Sequence, residues 1–264
     1  MCEPVGLIAG EGQLPLLLAR AIRTAGHRLV CVQVAGSPRA LQRWCHVHAL
    51  ISPGEAGRVL KTLKTGGVRR LVLAGRVDRL KLLSGPLDPL AREILQRAPD
   101  RTDADLWRAL LTVLDRHGFE ILPQPYFLPD LIAPSGLIGG RAPTDREWAD
   151  LQRGLRVART VAGAGVGQAV AVRDGVVLAV EAAEGTDGML RRLRAFGPHA
   201  VVVKAGRPDQ DPRFDLPTVG PRTITLLKQV GATALGVEAG RTLLLERASV
   251  VARAEEAGVA LVGL

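Results

Sequence analysis

Cysteine and aromatic rings are scarce in this chain. Cys2, Cys31 and Cys45 are its three cysteines, with no Cys-x-x-Cys pair, which fits a reducing compartment better than a disulfide framework. With one Tyr and four Phe, a stacking platform for nucleic-acid bases is hard to assemble, so no nucleic-acid partner is expected. No apolar run approaches the ~18 residues of a spanning helix, and the opening residues lack the charged, apolar and cleavage regions of an export signal. A cytoplasmic protein is expected, with at most peripheral contact at the inner membrane. Cys45-His-Val-His48 has the look of a metal pair, yet only His46 and His48 share a strand face and no further ligand is evident, so zinc is the weaker reading.

What is plentiful is aliphatic and basic. Hydrophobic residues make up 47% against 3% aromatic, so the core must be built from Leu, Val, Ala and Ile. At 264 residues the chain can form two domains, each burying a core of its own. Its net charge of +9, mostly arginine, favours phosphates, nucleic acid or an acidic membrane surface without choosing among them.

The opening Val5-Gly-Leu-Ile-Ala-Gly-Glu-Gly-Gln-Leu-Pro15 reads as buried strand, glycine turn and helix start, followed by a second strand over 28–34. This is the β-turn-α-β entry to an open parallel sheet. Gly10, Glu11, Gly12 and Gln13 then form a turn whose backbone N–H groups suit an anion. The dinucleotide fingerprint is incomplete: Pro15 holds the third glycine position and no acid ends the second strand, although Ser37 and Arg39 could imitate a 2′-phosphate site. An NAD(P) oxidoreductase is therefore a minor alternative. Further on come a helix at 54–64, a strand at 70–75 followed by the charged Arg76, Asp78, Arg79 and Lys81, and helices at 87–98 and 103–117. The second of these helices carries Leu106, Trp107, Leu110, Leu111 and Leu114 as its expected core face.

The Pro/Gly-rich segment 123–143 suggests a domain boundary. The expected fold is α/β throughout: a Rossmann-like parallel-sheet domain over 1–135, a linker at 136–143 and a second α/β domain over 144–264 that carries the catalytic motifs. Thr144 and Glu147 form a capping box at a new helix. Alternating apolar residues flank Asp174-Gly175, the signature of a hairpin. Its second strand leads to Glu184, Thr186 and Asp187, of which Thr186 or Asp187 would cap a basic helix.

The most distinctive stretch runs from Lys204 to Thr223. Three carboxylates (Asp209, Asp211, Asp215), four cations (Lys204, Arg207, Arg213, Arg222) and four prolines follow the apolar Ala200-Val-Val-Val203. Proline-stiffened backbone holds charged groups in a set geometry. In extended chain the three aspartates would project to one side, facing Glu184 and Asp187, a pattern that suits a hard divalent cation with few protein ligands and phosphate-binding cations nearby. A calcium loop is excluded, because Phe214 and Gly220 occupy the positions that need Gly and Glu. A solvated loop of local Asp/Arg pairs is the plainer alternative.

Gly6-Leu-Ile-Ala-Gly-Glu-Gly-Gln-Leu-Pro15, Gly167-Gln-Ala-Val170, Val180-Glu-Ala-Ala-Glu-Gly-Thr-Asp187, Val203-Lys204 and Pro208-Asp-Gln-Asp-Pro-Arg-Phe-Asp-Leu-Pro-Thr-Val-Gly220 occur in an order that resembles the LpxI-type UDP-2,3-diacylglucosamine pyrophosphatases of lipid A biosynthesis. The resemblance spans nearly the whole chain and implies a cytoplasmic, Mg²⁺-dependent hydrolase that yields UMP and 2,3-diacylglucosamine 1-phosphate (lipid X). It also implies two domains with the lipid held between them, and a homodimer. The catalytic aspartate of the family's Arg-x-Asp-Leu-Pro-Thr motif falls on Asp215, and its Lys/Gln/Asp constellation falls on Lys204, Gln210 and Asp211. Arg207 stands where lysine or another residue is expected, and Pro212 at a position that varies. Together these readings make Asp215, Asp211 and Lys204 catalytic, and Asp215, Asp187 and Glu184 metal-binding. They assign Gly10, Glu11, Gly12, Gln13, Gln168, Thr186, Gln210, Arg213 and Thr218 to the lipid-linked UDP-sugar substrate. A nucleotide- or lipid-binding protein without turnover is the main alternative.

Overall fold

Strand β1 (Val5–Ala9) is buried at every residue and lies between two parallel partners, β2 (Leu29–Gln33) and β4 (Arg70–Ala74). Such uninterrupted burial is what a parallel sheet covered on both faces demands of its central strands. In the computed structural model, which describes residues 3–36, 38–77, 85–99, 103–214 and 216–264, the chain divides into two units, Met1–Leu128 and Pro129–Leu264.

In the first unit, β3 (Val47–Leu50) and β5 (Glu120–Ile121) complete a wholly parallel sheet of order β3-β2-β1-β4-β5. Helix α1 (Leu14–Thr24) buries Leu18, Ala19 and Ile22; α2 (Pro38–Gln42) is short; and α3 (Ala56–Thr65) buries Val59, Leu60 and Leu63. Helix α4 (Pro89–Gln96) is capped by Asp88, which accepts from Ala91 N at 2.8 Å and also from Gly57 N at 2.7 Å. In α5 (Asp103–Arg116) the buried residues are Ala109, Leu111, Val113 and Leu114. Leu106, Trp107 and Leu110 are only half-buried, so the apolar face is turned from the one expected. Cys31 is fully buried in β2.

The second unit holds a six-stranded sheet, β6-β13-β11-β9-β7-β8. Its strands are β6 (Gly136–Gly139), β7 (Ala169–Arg173), β8 (Val176–Val180), β9 (Val201–Lys204), β11 (Ala234–Val237) and β13 (Ala260–Gly263). The middle three, β9, β11 and β13, run parallel; β7 lies antiparallel on one side and β6 on the other. The stretch 136–143, expected as a linker, thus contains an edge strand. Its glycines permit the close approach, since a Cβ on Gly140 would overlap the Val259 carbonyl oxygen.

Period-two alternation builds the two core layers. Val202 of β9 faces α7 (Gly185–Leu193), α8 (Pro221–Val230) and α9 (Arg247–Ala257), in a cluster with Met189, Leu190, Ile224, Leu227 and Val250. Val201 and Val203 point the other way, to Leu151, Leu155 and Ala158 of α6 (Asp145–Gly163). The capping box that opens α6 is complete: Thr144 Oγ1 accepts from Glu147 N at 3.3 Å, and Glu147 Oε2 accepts from Thr144 N at 2.8 Å. The β7-β8 hairpin turns at Asp174 and Gly175, both at positive φ (55° and 76°), the geometry of a two-residue primed turn. Beneath it, buried Asp150 accepts both turn amides at 2.7 Å.

Candidate functional site

The site is built at the carboxyl end of β9. Lys204 closes that strand in register with Val237, and its ammonium donates to Thr186 Oγ1 at 3.2 Å and to the Thr218 carbonyl at 3.0 Å. Thr218 itself lies in β10 (Thr218–Val219), a short strand paired with β12 (Leu243–Leu244). The Thr186 hydroxyl donates in turn to Glu181 Oε1 at 3.0 Å, while Glu181 Oε2 accepts from Gln168 N at 3.1 Å. Gln168 returns its carbonyl to Ala205 N at 2.9 Å. Four residues read from separate motifs, Gln168, Thr186, Lys204 and Thr218, therefore meet in one hydrogen-bonded group.

The aspartate loop departs from the extended geometry expected. Turns at 208–209 and 212–213 give each described aspartate its own arginine. Asp211 accepts from Arg213 N and Nε at 2.9 Å and from Nη2 at 2.5 Å, and that guanidinium holds its carboxyl below the usual range. Asp209 is 61% exposed, with Arg207 3.9 Å away. Local i, i+2 pairing, available wherever proline forces a turn, wins over alternation along a strand. Buried Phe214 anchors the loop. Gln210 is buried too, and its Oε1 accepts from Arg207 N at 2.9 Å. Asp215 lies outside the described residues, as do Ser37, Asp78, Arg79 and Lys81.

Glu184 and Asp187 also face guanidinium groups. Glu184 meets Arg192 at 2.5 Å, and its carboxyl is held low first by its own backbone N–H and then by Arg192. Asp187 meets Arg222 at 2.8 Å and Arg191 at 4.0 Å. Glu184 occupies the N-cap position of α7 without a side-chain capping bond, so neither Thr186 nor Asp187 caps that helix; both lie inside its first turn. Among the described residues no group of three His, Cys, Asp or Glu side chains could hold a metal ion. The described carboxylates are a poor fit to an all-protein cage, being matched to arginines.

Gly10, Glu11, Gly12 and Gln13 belong to the first unit. Two of the amides expected to serve an anion are already used: Gly10 N donates to Ala74 O at 2.8 Å and Glu11 N to Arg76 O at 2.8 Å, with Arg76 N returning to Glu11 O at 2.9 Å. This bridge stitches β1 to β4 past their carboxyl ends, where the order of the sheet reverses and open α/β folds usually admit ligands. The zinc alternative also gives way. His46 Nδ1 accepts from Leu29 N at 3.0 Å and its Nε2 meets Arg23, while His48 Nε2 bonds Gln33 Oε1 at 3.0 Å.

Sequence reasoning missed Glu238, Arg159 and Arg241. Glu238 Oε1 accepts from Arg159 Nε at 3.0 Å and Nη2 at 2.8 Å, and Oε2 accepts from Gly206 N at 3.0 Å. The available signal was position: Glu238 is the charged residue immediately after a buried apolar strand, much as Lys204 is the charged residue that closes β9.

An open parallel sheet in one unit, and in the other a proline-stiffened loop carrying lysine and arginine at a strand's carboxyl end, define a two-unit α/β protein. Residues 4–131 match the LpxI N-terminal domain and residues 134–262 the LpxI C-terminal domain, and the chain belongs to the LpxI family. It is 33% identical to the UDP-2,3-diacylglucosamine pyrophosphatase LpxI of Caulobacter vibrioides, over 98% of this chain and 97% of that protein.

Proposed function

We propose that this chain hydrolyses the diphosphate of UDP-2,3-diacylglucosamine to UMP and 2,3-diacylglucosamine 1-phosphate, a step of lipid A biosynthesis. The observation that carries this reading is the full-length match to a pyrophosphatase of that name. The Lys204 group supplies chemistry consistent with it. Water attacks one phosphorus, the bond to the bridging oxygen breaks, and the departing phosphate takes the electron pair. Fixed positive charge lowers the barrier by meeting the negative charge that shifts onto the phosphoryl oxygens. Lys204 is anchored by Thr186 and Thr218, so it reorganises little when that charge develops. Arg213, oriented by Asp211, is a second such cation.

Asp215 is assigned by its motif to orienting the water or binding Mg²⁺. Hydrated Mg²⁺ travels with substrate phosphates and needs only one or two carboxylates, with Glu184 and Asp187 as neighbours to its shell. The resemblance to the family, rather than any residue here, assigns the attack to the phosphorus on the sugar side. The protein acts in the cytoplasm as a homodimer in peripheral contact with the inner membrane; no described helix is long and apolar enough to cross one. Incubation of the full chain with UDP-2,3-diacylglucosamine, followed by phosphorus NMR or mass spectrometry, tests the reaction. UMP release, abolished by EDTA and restored by Mg²⁺, is expected. Substrate returned intact after prolonged incubation with Mg²⁺ would mark a binding protein instead.

A further inference from the structure

Glu238 and Asp150 are the two buried carboxylates among the described residues. Asp150 is explained by the hairpin amides it accepts. Glu238 serves no comparable local turn. It lies one residue past β11, 2% exposed, paired to Arg159 of α6 on one oxygen and bonded to the segment 204–208 through the other and through its own backbone N. Its backbone N donates to Lys204 O at 3.1 Å and its carboxylate accepts from Gly206 N. Arg241, 3.8 Å from the same carboxylate, donates through Nη2 to the Arg207 carbonyl at 2.9 Å and to the Pro208 carbonyl at 3.0 Å. Gly206 passes so close that a Cβ there would lie 2.5 Å from Gln210 Oε1.

Burying a carboxylate is costly unless it is paired and hydrogen-bonded, and such an ion pair contributes little net stability compared with apolar packing. What it does give is a single geometry for the backbone it bonds. The side chain that emerges from this fixed backbone is Arg207, whose buried Nε has no hydrogen-bond partner among the described residues. Its nearest carboxylate among the described residues, on Asp209, is 3.9 Å away and largely in solvent.

We propose that Glu238, oriented by Arg159, is a positioning residue for the hydrolysis: it fixes residues 204–208 so that Lys204 and Arg207 meet the substrate's diphosphate already in place. This rests on the hydrolase reading above. Preorganised charge acts mainly on turnover, and misplacement of about 1 Å is enough to cost roughly 100-fold.

The test is steady-state UMP release by the full chain, comparing the parent protein with Glu238→Gln, Arg159→Ala, Arg159→Lys, Lys204→Met and the Glu238→Gln/Lys204→Met pair. Each is assayed well below its Tm, with far-UV circular dichroism as the check on folding. Glu238→Gln is expected to lower kcat by roughly 30- to 100-fold with KM within about threefold. Arg159→Ala should follow it and Arg159→Lys recover part of the loss. The paired variant should lose clearly less than the product of the two single losses, because with Lys204 gone Glu238 can act only through the placement of Arg207. A folded Glu238→Gln protein with parental kcat, or losses that multiply in the pair, overturns the inference. Should Glu238→Gln fail to fold, the half-exposed Arg159 decides, and parental kcat in Arg159→Ala overturns it equally. A folded parent chain that releases no UMP overturns the hydrolase reading and this inference with it.

Discussion

The ammonium of Lys204 donates to the hydroxyl of Thr186 across 3.2 Å, joining the end of β9 to the first turn of α7. These residues stand 18 positions apart, and the bond holds two of the family's motifs at a fixed distance. Lys204→Met should leave far-UV circular dichroism unchanged and lower kcat for UMP release by roughly 100-fold or more. Thr186→Val keeps the cation but loosens it by removing the hydroxyl's two hydrogen bonds, to Lys204 and to Glu181, and a smaller loss, about 10-fold, is expected.

Asp215→Ala should fold and bind substrate yet release no measurable UMP, as its motif implies. Isothermal titration with uridine diphosphate, alongside the turnover assay, separates loss of chemistry from loss of binding. Retained turnover would move the chemistry to another carboxylate.

Acid sensitivity should be traceable to the capping box. Arg141's guanidinium, aided by hydrogen bonds from Thr233 and the Thr144 amide, lowers the Glu147 carboxyl from 4.5 to about 2. A carboxyl with a depressed native pKa stabilises the fold fully above its unfolded value, and the contribution is lost as pH falls through the native one. Stability should therefore decline between pH 4.5 and about 2 in part through Glu147. In Glu147→Gln that portion of the decline should vanish, as read by urea unfolding across the window. Thr144→Ala should cost about 1 kcal/mol at neutral pH.

Asp150→Ala strands the Asp174 and Gly175 amides beneath the hairpin and should destabilise the second unit by roughly 1–3 kcal/mol, two part-buried donors having lost a charged acceptor. Thermal unfolding measures it. Asp150→Asn, which retains one acceptor oxygen, should cost less.

Features whose cause is local were legible in the sequence. The β1 run, the Asp174-Gly175 turn, the Thr144–Glu147 box and the apolar run at 200–203 all follow from neighbours a few residues apart. Non-local partners were hidden: nothing near Gly136–Gly139 says that it pairs with Ala260–Gly263, and nothing near Glu238 says that its carboxylate reaches Gly206. The aspartate loop was misread for a third reason. Alternation along an extended chain was the assumed geometry, whereas Arg213 folds back on Asp211 two residues away. Lys204, Thr186, Gln168 and Thr218 came from separate motifs of the family, and their spacing in the chain says nothing of the hydrogen bonds that join them.

The seam between Gly10 and Gly75 limits how far this first unit can drift in sequence. A methyl group on Gly10 would sit 2.4 Å from the Arg76 carbonyl oxygen, and Gly75, at φ +90°, would press one against Glu11 O at 2.7 Å. Any heavier residue at either place has to prise apart the two strands on which the whole sheet is hung, so variation tolerated on the surrounding helices is closed to this pair.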